Sequence, residues 1–459
     1  MEKKVRILLL LLIFVVMFSL NVASQELTQN EAKEDLYYLI NRIEEVHPNI
    51  YFHLAEKEAE NRVEMLMTEL NKKEKWSSIE IYRMFSPFLA SFKDGHTRFE
   101  IWRQFNQYYN HGGKVIPIDI KLIDNRILIY KNYRQPALDK DIEILSINGI
   151  EIEKIIDTLV NRISHENRGF VYANIERLFP LYLWANFDFK EEYDLKVKNS
   201  DGETFPIHLE GITQKERNKQ REDQSENWLL DFPEYKSAFL TINTFNGSLK
   251  EEFEKDMDAY FEELDTKDIE NLFIDISENG GGNTDLARYL FEYIYSKPYN
   301  LFEEVKIKYS NYTSQQKFNF FSNIYNNMRK NEDDIIVFKP DEKIPEENPF
   351  RFKGNVYIIT SNYTFSTAAD FAAMVKDYKA GKIIGKETGG LASTYGDVIK
   401  DKLPNSGLNF GVSYKYFLRP AGFDNGQGVK PDEEIDINEF KYWYDKDKYQ
   451  KRIVRSIIY

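Results

Sequence analysis

Ser366 stands in the segment Thr364-Phe365-Ser366-Thr367-Ala368-Ala369-Asp370, after the apolar run 356–360 and at the opening of a small-residue stretch. A serine there can simply cap a helix, its hydroxyl accepting a backbone N–H. The same place suits a nucleophile. The hydroxyl is exposed at the carboxyl end of a strand, and the N–H of Thr367 can point at a developing oxyanion. A second segment is Asn279-Gly280-Gly281-Gly282-Asn283, shortly after the apolar run 272–276. Glycines leave backbone N–H groups bare, so this loop can hold an anion or an oxyanion ahead of a helix, or be no more than a tight turn. It is not a phosphate loop, since no Gly-Lys-Ser/Thr follows and the GxGxxG spacing is missing. The third segment is Asp94-Gly95-His96-Thr97, in a chain with 6 histidines. His96 can be a capping or surface residue, or a general base, because imidazole titrates near neutral pH. His47, His53, His111, His165 and His208 have no comparable setting. No HExxH or paired His/carboxylate pattern points to a metal, and no organic cofactor is implied.

The elements that must position these groups are legible from periodicity. Residues 26–92 read as helical, with Leu36, Leu39, Ile40, Ile43 and Val46 at helical spacing and Pro48 ending the first helix. Around 113–211 the texture turns to strands, 115–120 and 126–130, with Asp124-Asn125 as the turn between them. Residues 213–229 are charged and mostly without periodicity, which reads as a linker or exposed loop. From about 230, strands (239–242, 272–276, 356–360, 383–384) alternate with helices (253–264, 286–295, 367–378). Near-continuous apolar strands in such alternation predict an α/β sheet covered by helices.

Composition bounds the possibilities. The 459 residues carry 61 Lys+Arg against 75 Asp+Glu, a net charge of −14 that argues against a nucleic-acid binder. The absence of Cys removes disulfides, thiolate metal sites and a Cys nucleophile. Lys3, Lys4 and Arg6 precede an apolar run from Ile7 to about Leu20, then Ala23 and Ser24. That is the pattern of a cleavable export signal, shorter than the roughly 20 residues that span a bilayer. The expected organisation is a signal peptide over 1–24, a helical region carrying His96 over 25–112, a β-rich module over 113–211, a linker over 212–229 and the α/β part over 230–459. The mature protein is then periplasmic or extracellular, with no stable membrane span.

A base, a nucleophile and an oxyanion loop together are more specific than any one of them. The combination resembles the S41 family of serine peptidases, the C-terminal processing (tail-specific) and tricorn-core proteases. Residues 239–245 look like the family's opening strand, and Ile274-Asp275-Ile276-Ser277-Glu278-Asn279-Gly280-Gly281-Gly282 like its DLRxNGGG segment. Thr364-Phe365-Ser366 resembles the nucleophile segment, residues 384–390 the GxxTxG segment, and Gly428-Val429-Lys430-Pro431-Asp432 the closing GVxPD. The resemblance implies a catalytic domain of the ClpP/crotonase-like type, and residues 142–150 resemble the I-L-x-I-N-G stretch of a PDZ domain, with 160–190 as an insertion. It also implies hydrolysis of peptide or protein substrates, with Ser366 as nucleophile, His96 as base, and Gly281 (or Gly280) and Thr367 as oxyanion donors. The branch that uses a Ser–Lys dyad is not matched: its Lys slot is Leu391, and Lys386 lies five residues earlier. The tricorn-like branch places an acid shortly before GVxPD. Here that position is Asn425, so the adjacent Asp424 becomes the candidate orienting acid. Ser277 replaces the family Arg, and Ala369, followed by Asp370, replaces the family Glu. A serine hydrolase for other acyl groups would use the same residues, and a non-catalytic peptide-binding relative would keep the fold alone.

Overall fold

The computed structural model describes residues 26–123, 126–135, 142–220, 226–234, 236–315, 335–437, 441 and 445–459. The expected export signal and the Asp124-Asn125 turn lie outside the described residues.

The central sheet runs in the order Trp228–Glu234, Ser237–Ile242, Asn271–Asp275, Asn355–Thr360, Lys382–Gly385, Glu433–Glu434. Its first pair is antiparallel and the others are parallel. The run Asn271–Asp275 is buried throughout because both faces are covered. Leu272 and Ile274 pack with Phe253, Leu286 and Phe371 of helices Lys250–Thr266, Thr284–Glu292 and Thr367–Asp377. Phe273 faces the other way, onto Tyr449 and Ile453 of the terminal helix Lys446–Ile458. The alternation is the period-2 geometry of a strand. The sequence reading of these strands and helices agrees with the structure to within a few residues.

A second, antiparallel sheet takes the order Thr204–Glu210, Glu192–Lys198, Glu143–Ile147, Arg126–Asn132, Ile118–Ile123. Its buried isoleucines pack under the helix Arg168–Phe187, where Val171, Ile175 and Phe179 face them. Asn167 caps that helix by accepting from Phe170 N at 2.9 Å, and Leu178 leaves helical geometry (φ −117°, ψ 22°) two residues before Pro180. The expected insertion is therefore an ordered helix of this module.

A third sheet joins Ile335–Phe338, Glu304–Lys308, Asn409–Leu418 and Thr394–Lys402. The short strand Arg98–Phe99 adds to it through Phe99↔Phe410 and Arg98↔Gly411. That pairing pins the Asp94–Thr97 turn, which follows the helix Ser78–Ser91, against the C-terminal half of the chain. The first helix, Gln29–Val46, starts with a capping box between Thr28 and Glu31 and ends before Pro48. The expected linker is in part regular. Ile212–Thr213 pairs with Lys114–Val115, and Gln214–Gln220 is helical because Glu216 closes a capping box on Thr213, accepting from its N–H at 2.9 Å.

Candidate active site

The carboxyl ends of strands Asn271–Asp275 and Asn355–Thr360 open onto the glycine loop and the Ser366 turn, the usual location for ligands in an α/β sheet. Ser366 precedes the helix Thr367–Asp377 with φ 53° and ψ −133°, and its hydroxyl makes no capping bond. The capping alternative thus fails. A non-glycine residue in such a conformation costs roughly 1–3 kcal/mol, a strain typical of a functional turn. The loop presses on it: a Cβ on Gly281 (φ +100°) would lie 2.7 Å from Ser366 Cβ and 3.0 Å from Thr367 N. Gly281 is therefore required for close approach.

Its N–H is not a free donor, however. It donates to Asn279 Oδ1 at 2.8 Å, because the Asn279 side chain folds back to hold the loop, while Asn279 Nδ2 donates to Ile242 O at 3.1 Å. Of the two expected oxyanion donors in the loop, Gly281 and Gly280, the first is thus engaged within the loop itself. Among the described residues, the N–H groups of Gly280 and Thr367 have no protein acceptor, and Thr367 is the first residue of its helix, where such donors are left over.

His96 reaches this site from the N-terminal region. Its ring stacks on Phe365, the residue before Ser366, with centroids 4.5 Å apart, and Phe170 stacks on Phe365 at 4.2 Å. Gly95 permits the stack, since a Cβ there would meet Phe365 Cζ at 2.9 Å. The buried Nδ1 of His96 makes no hydrogen bond, yet two carboxylates flank it, Asp94 Oδ1 and Glu166 Oε1, each at 3.9 Å. Such contacts commonly shorten once substrate is bound.

Both acids are locked. Asp94 accepts from His96 N (2.9 Å), Thr97 Oγ1 (2.5 Å) and Ser413 Oγ (2.6 Å), and His47 Nε2 lies 3.3 Å away. His47 Nδ1 accepts from Asn49 N at 3.0 Å, which leaves the proton on Nε2, toward Asp94. Burial raises the Asp94 carboxyl, but the hydrogen bond and charge of His47, with His96 and Ser413, hold it well below the usual carboxylate range. Glu166 accepts from Leu391 N and from Thr394 Oγ1, both at 2.9 Å. Asp94, His96 and Glu166 also place ligand-type atoms within 4.8 Å of one another, as a divalent cation would require. The donors already on both carboxylates favour an orienting role over metal ligation.

Asp424 does not join this group. It sits on an exposed turn, accepting from Tyr416 Oη at 2.6 Å and Gly426 N at 2.8 Å, so the acidic places beside His96 belong to Asp94 and Glu166. Leu391, at the dyad branch's lysine slot, holds Glu166 through its backbone, and Lys386 is paired with Asp436 at 2.6 Å. At the position of the family Arg, Ser277 Oγ accepts from Lys441 Nζ at 2.6 Å, and the same Nζ lies 3.4 Å from Asp275. Glu166 went unrecognised because it falls in the short connection between helices Ile152–Val160 and Arg168–Phe187, far in sequence from both His96 and residues 391–394. No spacing rule joins those three.

Asp370, one turn into the Ser366 helix, has a buried oxygen without a partner among the described residues. Its carboxyl is pushed up to about 7 by burial, with Asp397 and Glu166 adding to the rise and His96 opposing it. The folded form keeps a proton that an unfolded carboxyl, at its ordinary 3.8, gives up. That stability is present in acid and is lost as pH rises toward about 7. Asp370→Asn should therefore gain in thermal midpoint over the parent as pH is raised from about 4 to 7, which differential scanning fluorimetry across that range would check.

The model for peptidase family S41 matches residues 236–435. No match is found among curated proteins. Among solved structures, mature CPAF complexed with lactacystin is similar with a TM-score of 0.68 at 16% identity, over 93% of this chain and 97% of that one. Mature CPAF alone gives 0.67 at 13% identity, over 93% and 96%. A putative peptidase from Parabacteroides merdae covers 94% and 98% at 14% identity with a TM-score of 0.49. At these identities the CPAF likeness is one of fold, and His96 and Glu166 both lie outside the matched segment 236–435.

Proposed function

We propose that this chain, whose residues 236–435 match the model for peptidase family S41, hydrolyses peptide bonds with Ser366 as nucleophile, His96 as general base and Glu166 as the residue that orients the base. The observation that carries this reading is the strained Ser366, free of any capping bond, beside Phe365, on which His96 is stacked. With Nδ1 turned to Glu166 and Asp94, Nε2 is left to take the Ser366 proton. The Ser366 oxygen adds to the substrate carbonyl, and the N–H groups of Gly280 and Thr367 receive the oxyanion. The imidazolium returns its proton to the departing amine, leaving an acyl-enzyme that water cleaves by the same steps in reverse order. Two fixed carboxylates stabilise that imidazolium.

In the same reading, the central sheet with its helices is the ClpP/crotonase-like domain. The sheet spanning 118–210 is a PDZ-like module that can take a substrate chain along a strand edge. The basic and apolar start of the chain marks the protein for export, to a periplasm or beyond the cell.

A serine-directed fluorophosphonate probe tests the assignment. The parent should label, and Ser366→Ala and His96→Ala should not. Absence of labelling in the folded parent would favour a binding protein that keeps the fold alone. Glu166→Gln keeps an oxygen for Leu391 N, turns an amide N–H toward Thr394 Oγ1, which can accept it, and removes the charge. It should lower kcat by roughly 10²- to 10⁴-fold with little change in KM, and move the pH–rate inflection. A merely structural Glu166 would leave that inflection in place.

A further inference from the structure

A cavity of about 220 Å³ opens beside the glycine loop and the Ser366 turn, with Gly280 and Phe365 in its wall. It is smaller than the roughly 300–1,000 Å³ of sites for drug-sized molecules and suits one side chain or one chain end. Phe99, Phe170, Leu181 and Tyr182 give it an apolar body. Two cations line it, the half-buried Arg162 and, on the exposed side, Arg98. Arg162 Nη1 donates to Asn186 Oδ1 at 2.8 Å, and among the described residues no carboxylate pairs with either guanidinium. The one acid in the wall, Glu100, is already held by Lys400 at 2.7 Å and Arg103 at 3.1 Å. Ser86, also in the wall and only 3% exposed, has a hydroxyl that finds no partner among the described residues.

In a chain of net charge −14, two guanidiniums that meet no carboxylate among the described residues, beside the Ser86 hydroxyl, form a site suited to an anion. We propose that this cavity is a substrate subsite for a carboxylate, bound by Arg162 and Arg98 with Ser86 as a further donor, next to the bond to be cleaved. The inference rests on the peptidase reading and adds a substrate class to it. The carboxylate comes either from an acidic side chain or from a free chain end. Burial pulls the Arg162 guanidinium down, with Arg83 adding to the effect, and an arriving anion would reverse it.

The test is kcat/KM for quenched peptides that differ by Glu or Gln at single positions, each with a free or an amidated chain end. The parent should favour the carboxylate form by about tenfold or more. That ratio should fall toward one in Arg162→Gln and invert in Arg162→Glu. Discrimination at an internal Glu identifies a side-chain source, and discrimination only at the free chain end identifies the terminus; either supports the subsite. A ratio near one at every position and at the chain end overturns it, as does a ratio unchanged in Arg162→Glu. A second measurement depends on neither turnover nor folding of the Arg162 variants. Calorimetric titration of Ser366→Ala with the preferred Glu/Gln or free/amide pair should show tighter, salt-sensitive binding of the carboxylate member. Equal affinities overturn the proposal. A parent that fails to hydrolyse peptides yet shows this preference would sink the catalytic reading and leave the subsite standing.

Discussion

Ser366→Ala should lower peptide hydrolysis by roughly 10⁴- to 10⁶-fold, the loss typical of removing a serine nucleophile. The residual rate is the part the oxyanion donors and substrate binding supply without a covalent step. Stability should move little, because the Ser366 hydroxyl makes no capping bond that the variant would lose. Ser366→Gly separates function from strain. It is equally inactive, but glycine accepts φ 53° without a Cβ clash, so the variant should be more stable than the Ala form by about 1 kcal/mol. Activity assays and chemical denaturation of the two variants check both halves. A Ser366→Ala protein that retains parental turnover would remove Ser366 from the mechanism.

His96→Ala should lose about as much as Ser366→Ala, and the double variant should lose no more than either single one. Base and nucleophile act as a unit: an unactivated hydroxyl is a poor nucleophile, and an imidazole with no hydroxyl beside it has nothing to deprotonate. The ring also packs on Phe365, so truncation should cost stability as well. His96→Phe keeps an aromatic ring in the stack while removing the base. It should be as inactive as His96→Ala yet closer to the parent in thermal midpoint. Additive losses in the double variant would show that His96 acts elsewhere.

Much of this was legible in the sequence because the signals are local. The apolar runs 272–276 and 356–360 announce buried strands, and the glycine triplet and Ser366 follow each of them directly. Asp94-Gly95-His96-Thr97 stood out as a polar turn. Glu166 did not, since it meets His96 only once the helix Arg168–Phe187 docks Phe170 on Phe365. Charge and proximity to the GVxPD segment pointed to Asp424, but that carboxylate is engaged by Tyr416. Gly281 carried the right backbone freedom, while the side chain that takes its N–H, Asn279, was read only as part of the loop. The third sheet was missed for the same reason as Glu166: the pairing of Arg98–Phe99 with Phe410 and Gly411 is a long-range event with no trace in periodicity.

The single ring of Phe365 is gripped by His96 from one end of the chain and Phe170 from its middle. A ribosome makes these parts in order, His96 first, then Glu166, then Ser366, and last the Asn409–Leu418 strand that fixes the His96 turn. Until that late strand is in place, the chain holds every ingredient for cutting proteins and no arrangement that can do it. Non-local contacts of this kind also form slowly. The order of synthesis alone therefore delays assembly of the site until the Asn409–Leu418 strand has been made.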